Sequence, residues 1–205
     1  MQRDKGTIAV GGREMVLSKN MQKLVAGSST IRKLFEEGIE LAKEVGAENV
    51  YDFSLGNPAA PVPKEVKKSI YDILENRNAN FVHCYMPNAG YPEVREKVAA
   101  NLNKKYDSSF TKEDIIMTVG AAGGINCVLR CLLEQEDEVL CFAPFFGEYN
   151  SYVMNFGGNL KVVPADYETF QLNVEEADKY ITERTKAVII NNPNNPSGVV
   201  YNKET

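Results

Sequence analysis

One histidine, His83, serves the whole chain, and its four cysteines (Cys84, Cys127, Cys131 and Cys141) include no C-x-x-C pair. Zinc sites need Cys and His in close pairs, so this scarcity argues against any metal. No apolar run approaches the roughly 20 residues that cross a bilayer. The amino-terminal stretch MQRDKGTIAVGG has no long apolar core, so no secretory signal is expected. No basic run or patch stands out, and the net charge is −5, which gives nucleic acid nothing to hold. Internal repeats and low-complexity segments are absent as well. Cys127 and Cys131 lie four apart in an apolar, helical stretch and share one helix face; Cys141 sits in a strand-like run. The expectation is buried, free thiols in a cytoplasmic protein that binds neither membrane nor metal.

What is present is ordinary globular material: 43% hydrophobic and 25% charged residues. A length of 205 residues suits one large domain or a domain and a half. Ser28-Ser29-Thr30 offer caps for a helix through IRKLFEEGIELAKEVG, whose apolar Ile31, Leu34, Phe35, Ile39, Leu41 and Ala42 recur at helical spacing and which Gly46 closes. NVYDFSLG alternates like a short strand ending at Gly56-Asn57-Pro58, and the proline-rich connector that follows is the first boundary. We divide the chain there, into residues 1–55 and 56–205. PKEVKKSIYDILEN is helical, with Pro63 in the first turn. HCYMPNAGYPEVREKVAANLNKKY opens as a loop and becomes a helix near Pro92.

A regular alternation follows. DIIMTVG, DEVLCFAP, NLKVVPAD and KAVIINNP read as strands; AAGGINCVLRCLLEQ, FFGEYNSYVMNFG and NVEEADKYITE read as helices between them. Strands that are apolar almost throughout, alternating with helices, predict an α/β protein with a parallel sheet covered on both faces. The loops after strands 115–119, 138–143 and 186–190 then share one carboxyl edge, where open parallel sheets bind ligands.

The first of those loops is Gly120-Ala121-Ala122-Gly123-Gly124, with a helix starting at once. Free N–H groups and the positive end of the helix dipole suit an anion, and small residues allow close approach. A dinucleotide site would need G-x-G-x-x-G and an acidic residue at the end of the next strand. Here the spacing is broken, and that strand begins with Asp137-Glu138 and ends in Ala143-Pro144-Phe145-Phe146. A plain packing turn is the other reading of the loop. Taken together, amides, an aromatic pair and an asparagine-rich turn suit a phosphate, a flat ring and a polar ring substituent.

Four stretches, FSLGNP, YMPNAGYPEVREKVA, TVGAAGGINCVLRCLLEQEDEVLCFAPFFGEY and NNPNNPSG, occur in this order. In them the chain resembles the fold-type I aminotransferases that depend on pyridoxal 5'-phosphate, those of the aspartate aminotransferase group in particular, from about Ser28 onward. The resemblance implies the three-layer α/β/α large domain of these transferases, incomplete here, preceded by an N-terminal helical arm and part of the small domain. It implies pyridoxal 5'-phosphate as cofactor, with the amides of Gly120, Ala121 and Ala122 around the phosphate and Phe146 stacked on the ring. Asn195 would bond the ring's 3-oxygen, and Gly56 would lie against the substrate carboxylate. Tyr85 would reach the phosphate of a partner subunit's cofactor, which implies a homodimer. Substrates would be an amino acid, aspartate first, and a 2-oxo acid.

Other readings stand beside these. Phe145 and Phe146 also fit plain core, and Tyr85 a packed loop tyrosine. His83 reads as a bystander. Arg95, in EVREK with charges at helical spacing, reads as a solvated or ion-paired helix residue. The family's Schiff-base lysine, in an S-x-S-K-like loop well downstream of the asparagine turn, has no counterpart, since the chain stops seven residues after Gly198. The pyridinium aspartate and the carboxylate-clamping arginine are missing with it. We therefore expect a piece of a longer enzyme, inactive by itself, with apolar edges and faces uncovered. The alternatives are a non-catalytic binding module on the same fold, another enzyme of the fold such as a lyase, and a nucleotide-dependent oxidoreductase.

Overall fold

The computed structural model describes residues 7–10, 13–18, 21–22, 30–53, 56 and 60–205. The chain divides into two compact units, Met1–Cys84 and Tyr85–Thr205.

The first unit begins with an antiparallel pair, β1 (Thr7–Val10) and β2 (Arg13–Val16), with Thr7 opposite Val16 and Val10 opposite Arg13. The sequence reading gave this segment no strands. Its signal is two short runs separated by Gly11-Gly12, a pattern typical of hairpins. Helix α1 (Thr30–Val45) matches the apolar spacing and ends where Gly46 donates its N–H to the Ala42 carbonyl at 3.1 Å. The predicted caps Ser28 and Ser29 lie outside the described residues. Helix α2 (Lys64–Asn76) starts after Pro63, which takes the capping position rather than the first turn. A single helical turn, α3 (Ala79–Val82), follows, capped by the Asn78 side chain. Residues 50–53 form no strand: Tyr51 and Phe53 are exposed and find no ladder partner among the described residues. Among the residues of this unit whose side chains are described, none is buried.

The second unit holds the core. Helix α4 (Pro92–Tyr106) opens on the predicted proline and closes at Asp107 in the left-handed conformation. The order after it is α5 (Gly120–Leu132), β3 (Glu138–Phe142), α6 (Glu148–Met154), β4 (Asn159–Val163), α7 (Val174–Ala177) and β5 (Thr185–Ile189). The three strands form one parallel sheet in the order β4-β3-β5, with Val139 opposite both Leu160 and Ala187. The predicted α/β class with a parallel sheet is what the chain forms. The sheet has three strands here, not four. Residues 115–118 form no strand: Ile116 and Val119 are exposed, and no strand among the described residues pairs with them. An apolar run becomes a strand only when a neighbour supplies its ladder. Helix α7 is one turn instead of the longer helix that the sequence suggests.

Apolar clusters line the two faces of the sheet. On one, Leu129 and Leu133 of the α5 segment and Val153 of α6 pack with Val139, joined by Ile125, Ala187 and Ile189. On the other, Leu140, Phe142, Val163 and Ala177 pack with Leu172 and Tyr180. Ile125, Leu129 and Leu133 form the buried stripe of α5 at four-residue spacing. Cys127 and Cys131 fall midway between its members, about 200° around the helix. That is why both are exposed, against the expectation of buried thiols; Cys84 is exposed too, and only Cys141 is buried.

Candidate active site

Arg95 corrects the reading of a solvated face. It is 9% exposed, its Nε donates to the Ile115 carbonyl at 2.7 Å, and its Nη2 donates to the Lys112 carbonyl and lies 3.4 Å from Glu113 Oε2. The anticipated ion pair exists, but as part of a buried clamp. Arg95, in the first turn of α4, reaches inward here because guanidinium donors can satisfy two backbone carbonyls at once. Ala89 and Gly90 hold the same segment: the Met117 N–H donates to the Ala89 carbonyl at 2.9 Å. Gly90 has φ +97°, and a Cβ there would stand 2.6 Å from Met117 Cγ. The signature NAGYPEVR thus fastens the strand-like approach to Gly120.

At Gly120 the backbone turns at φ +68°, with open space where a Cβ would stand. Helix α5 begins there, and Thr118 Oγ1 donates to the Gly120 carbonyl at 3.0 Å. Ala121 and Ala122 are exposed. Their N–H groups belong to the first turn, which has no intrahelical acceptors. The helix spans about 20 Å against about 17 Å for β3, and its C-terminal end adjoins the turn into β3. It packs on the sheet through Leu129 and Leu133, and Ile125, in the amino-terminal half of the helix, and Ile189, at the end of β5, pack against the same cluster.

The loop after β3 is pinned by the Ala143 N–H, which donates to the Val163 carbonyl at 2.9 Å. Phe146 is 37% exposed, not core. Its ring makes a T-shaped contact with Tyr149, with centroids 5.7 Å apart and planes at 80°, which anchors the ring while part of it stays exposed. Tyr149 is buried, and that burial, with neighbouring Cys141, pushes its hydroxyl pKa up. Cys141 is pushed up to about 12 by burial alone. Neither carries charge near neutrality, so the floor of the edge is uncharged.

The asparagine turn is tied down by its own amides. With its amide oriented to suit, Asn191 accepts from the Asn195 N–H at 3.0 Å and donates to the Pro193 carbonyl at 3.2 Å. Asn192 Oδ1 accepts from the Tyr201 N–H at 3.0 Å. Asn194, buried, donates Nδ2 to the Pro144 carbonyl at 3.2 Å and to Tyr201 Oη at 2.8 Å. That first bond joins the two loops across 50 residues of sequence. Phe145, Tyr149, Asn191, Asn194 and Tyr201 line the small cavity between them. Asn195 is exposed. The bonds Ala143-Pro144, Asn192-Pro193 and Asn195-Pro196 are cis.

Of the residues singled out from sequence, the loop that carries Phe146 and the turn that carries Asn195 are joined through the Asn194 bond to the Pro144 carbonyl, while Gly120, Ala121 and Ala122 stand exposed at the start of α5. Tyr85 stands fully exposed at the start of the second unit, not packed in its loop. Gly56 is exposed in the first unit. His83 caps the short α3 and is exposed. Sequence reasoning passed over Asn194 and Tyr201 and misjudged Arg95. In a turn with four asparagines, nothing in the letters says which one faces inward.

Comparison with known proteins supplies the context. The family model described as aminotransferase class I and II matches residues 47–205. A probable aspartate/prephenate aminotransferase of Aquifex aeolicus is 35% identical over 80% of this chain and 41% of its own length. An aromatic-amino-acid aminotransferase of Thermococcus litoralis is 35% identical over 93% of this chain and 46% of its own. A solved amino transferase from Eubacterium rectale superposes with a TM-score of 0.87 at 40% identity, covering 93% of this chain and 48% of that one. The chain spans less than half the length of these relatives. Because the family match runs through every loop that builds this edge, the chain belongs to the class I and II aminotransferases.

Proposed function

We propose that the whole protein transfers an amino group between an amino acid and a 2-oxo acid with pyridoxal 5'-phosphate as cofactor, and that this chain builds the cofactor's cradle. The observation that supports the reading is the Asn194 bond to the Pro144 carbonyl, which ties the loop of Phe146 to the turn of Asn195. The donor set fits the group. Helix-end amides at Ala121 and Ala122 suit a phosphate dianion, the Phe146 face suits a flat ring, and an unengaged amide suits a ring oxygen. When bound, the cofactor supplies an electron-withdrawing ring that takes up charge as the amino acid's α-proton leaves. The residues of this chain hold and orient; none of them moves that proton. Lys161 and Lys186 are turned to the opposite edge of the sheet, where Lys161 Nζ lies 3.2 Å from Glu138 Oε1 and Lys186 Nζ 3.9 Å from Asp137 Oδ1.

Aspartate is the first candidate donor, supported by the names of several relatives, and the active form is a homodimer in which Tyr85 serves the partner's site. Residues 56–205 belong to the cofactor-holding domain and residues 1–55 to the arm and small domain. No helix among the described residues is long and apolar enough to cross a membrane. The test is amino exchange by the whole protein from nitrogen-labelled aspartate to a 2-oxo acid, with an aromatic donor in parallel. Label in the new amino acid is expected, with aspartate faster. No exchange from any donor overturns the reading. The 205-residue chain alone is expected to exchange nothing.

A further inference from the structure

The four asparagines of the turn are not equivalent. Asn191, Asn192 and Asn194 each engage their side chain within the turn or with its neighbours. Asn195 alone of the four offers a side-chain amide with no protein partner among the described residues. Asn194 shows the opposite extreme. A primary amide can give two hydrogen bonds and accept two. Asn194 gives both, to the Pro144 carbonyl and Tyr201 Oη, and accepts both, from the Ser197 N–H at 3.1 Å and Ser197 Oγ at 2.7 Å. It is 7% exposed. A buried amide with every bond made can sit in only one way, and each partner becomes costly to move.

We propose that Asn194 and Tyr201 are positioning residues of the cofactor site: they lock the Phe146 loop to the asparagine turn, so that the exposed Phe146 ring and the Asn195 amide are presented at a set spacing. Pro144 lies two residues before Phe146, and Asn194 is bonded to Asn195. A shift of either loop is therefore passed to the other through one hydrogen bond. Tyr201 completes the lock from beyond the turn. Its hydroxyl accepts from Asn194 while its own N–H donates to Asn192, so the chain after Gly198 is folded back onto the turn. The Gly198 N–H donating to the Asn194 carbonyl at 2.8 Å and the Asn194 N–H donating to the Val199 carbonyl at 2.9 Å close that return. This rests on the cofactor reading above, and it assigns roles to residues that touch no cofactor atom themselves.

A buried amide that only stabilises the fold would weaken binding of any ligand alike; a positioning amide controls one contact. The readout is therefore a ratio, taken on the whole protein without turnover. Pyridoxamine 5'-phosphate binding is followed by the ligand's own fluorescence polarisation and compared with the same compound lacking the 3-hydroxyl. The unaltered protein is expected to prefer the 3-hydroxyl compound by about tenfold, the worth of one good hydrogen bond. Asn194→Asp keeps the contacts to Ser197 and can still accept from Tyr201, but sets a carboxylate oxygen against the Pro144 carbonyl. It is expected to cut the preference to about twofold while binding of the deoxy compound changes little. Tyr201→Phe keeps the ring and removes the acceptor, and is expected to lower the preference about threefold. It decides the matter if Asn194→Asp does not fold. Asn195→Ala marks the floor, with no preference. Variants of Asn194 and Tyr201 that keep the full preference overturn the proposal and leave the cofactor reading standing. An unaltered protein with no preference, or no binding, overturns both.

Discussion

Strands β3 and β5 are neighbours in one sheet, parallel, equally long and similarly apolar in sequence, yet they live in different surroundings. All five residues of β3 are buried. Strand β5 alternates: Ala187 and Ile189 face the α5 side and are half-buried, while Val188 is 47% exposed on the other face and Ile190, just beyond, is 60% exposed. The cover on that second face, residues 172–180, reaches Leu140, Phe142 and Val163 and not Val188. A continuous apolar run therefore states what a strand can tolerate on both sides. Whether both sides are covered depends on elements that the strand's own letters do not mention.

The comparison breaks most visibly at Leu140. Leu140→Ala empties a fully enclosed site and is expected to destabilise by about 2–5 kcal/mol, whereas Val188→Ala on the bare face should cost under about 1 kcal/mol. Urea unfolding of the two variants measures the gap; equal losses would mean that β5 is covered in solution. A second test uses alkali. Cys141, in the central strand β3, has an ordinary thiol value of 9.0 that burial in the fold pushes up to about 12. A raised folded pKa gives stability that is whole below the unfolded value and lost as pH climbs toward the folded one. Unfolding midpoints should hold up to pH 9.0 and fall from there toward about 12, with a smaller fall in Cys141→Ala. At neutral pH the same burial should leave Cys141 unreactive to a thiol reagent until unfolding, while Cys84, Cys127 and Cys131 react at once. The smallest effect is expected from Val188→Thr, within about 0.5 kcal/mol of the unaltered chain. Its interest lies in solubility: less association, measured by light scattering, would show that the bare face of β5 is where copies meet.

Much of the second unit was legible. The alternation after Gly120 placed α5, β3, α6, β4 and β5 because each has a period of its own and glycine or proline at its borders. The approach to Gly120 was misread as a strand because periodicity records side-chain preference and not the presence of a partner. Arg95 was misread because helical charge spacing says nothing of the carbonyls of Lys112 and Ile115, which arrive from another part of the chain. The candidate site was read from residue types, the Phe146 ring and the Asn195 amide, and both residues are exposed. Asn194 and Tyr201 stayed hidden because their role is a set of bonds spanning up to 50 residues, and no local pattern encodes that.

The strand order β4-β3-β5 has a consequence for how the chain comes together as it is made. The central strand emerges first, then β4 on one flank, then β5 on the other. Until Thr185 has appeared, the sheet is a two-stranded parallel pair, too few strands for a stable sheet by themselves. The third strand and the asparagine turn that follows it arrive in the same short stretch. Synthesis thus adds the third strand and fastens the two loops of the site almost in one event.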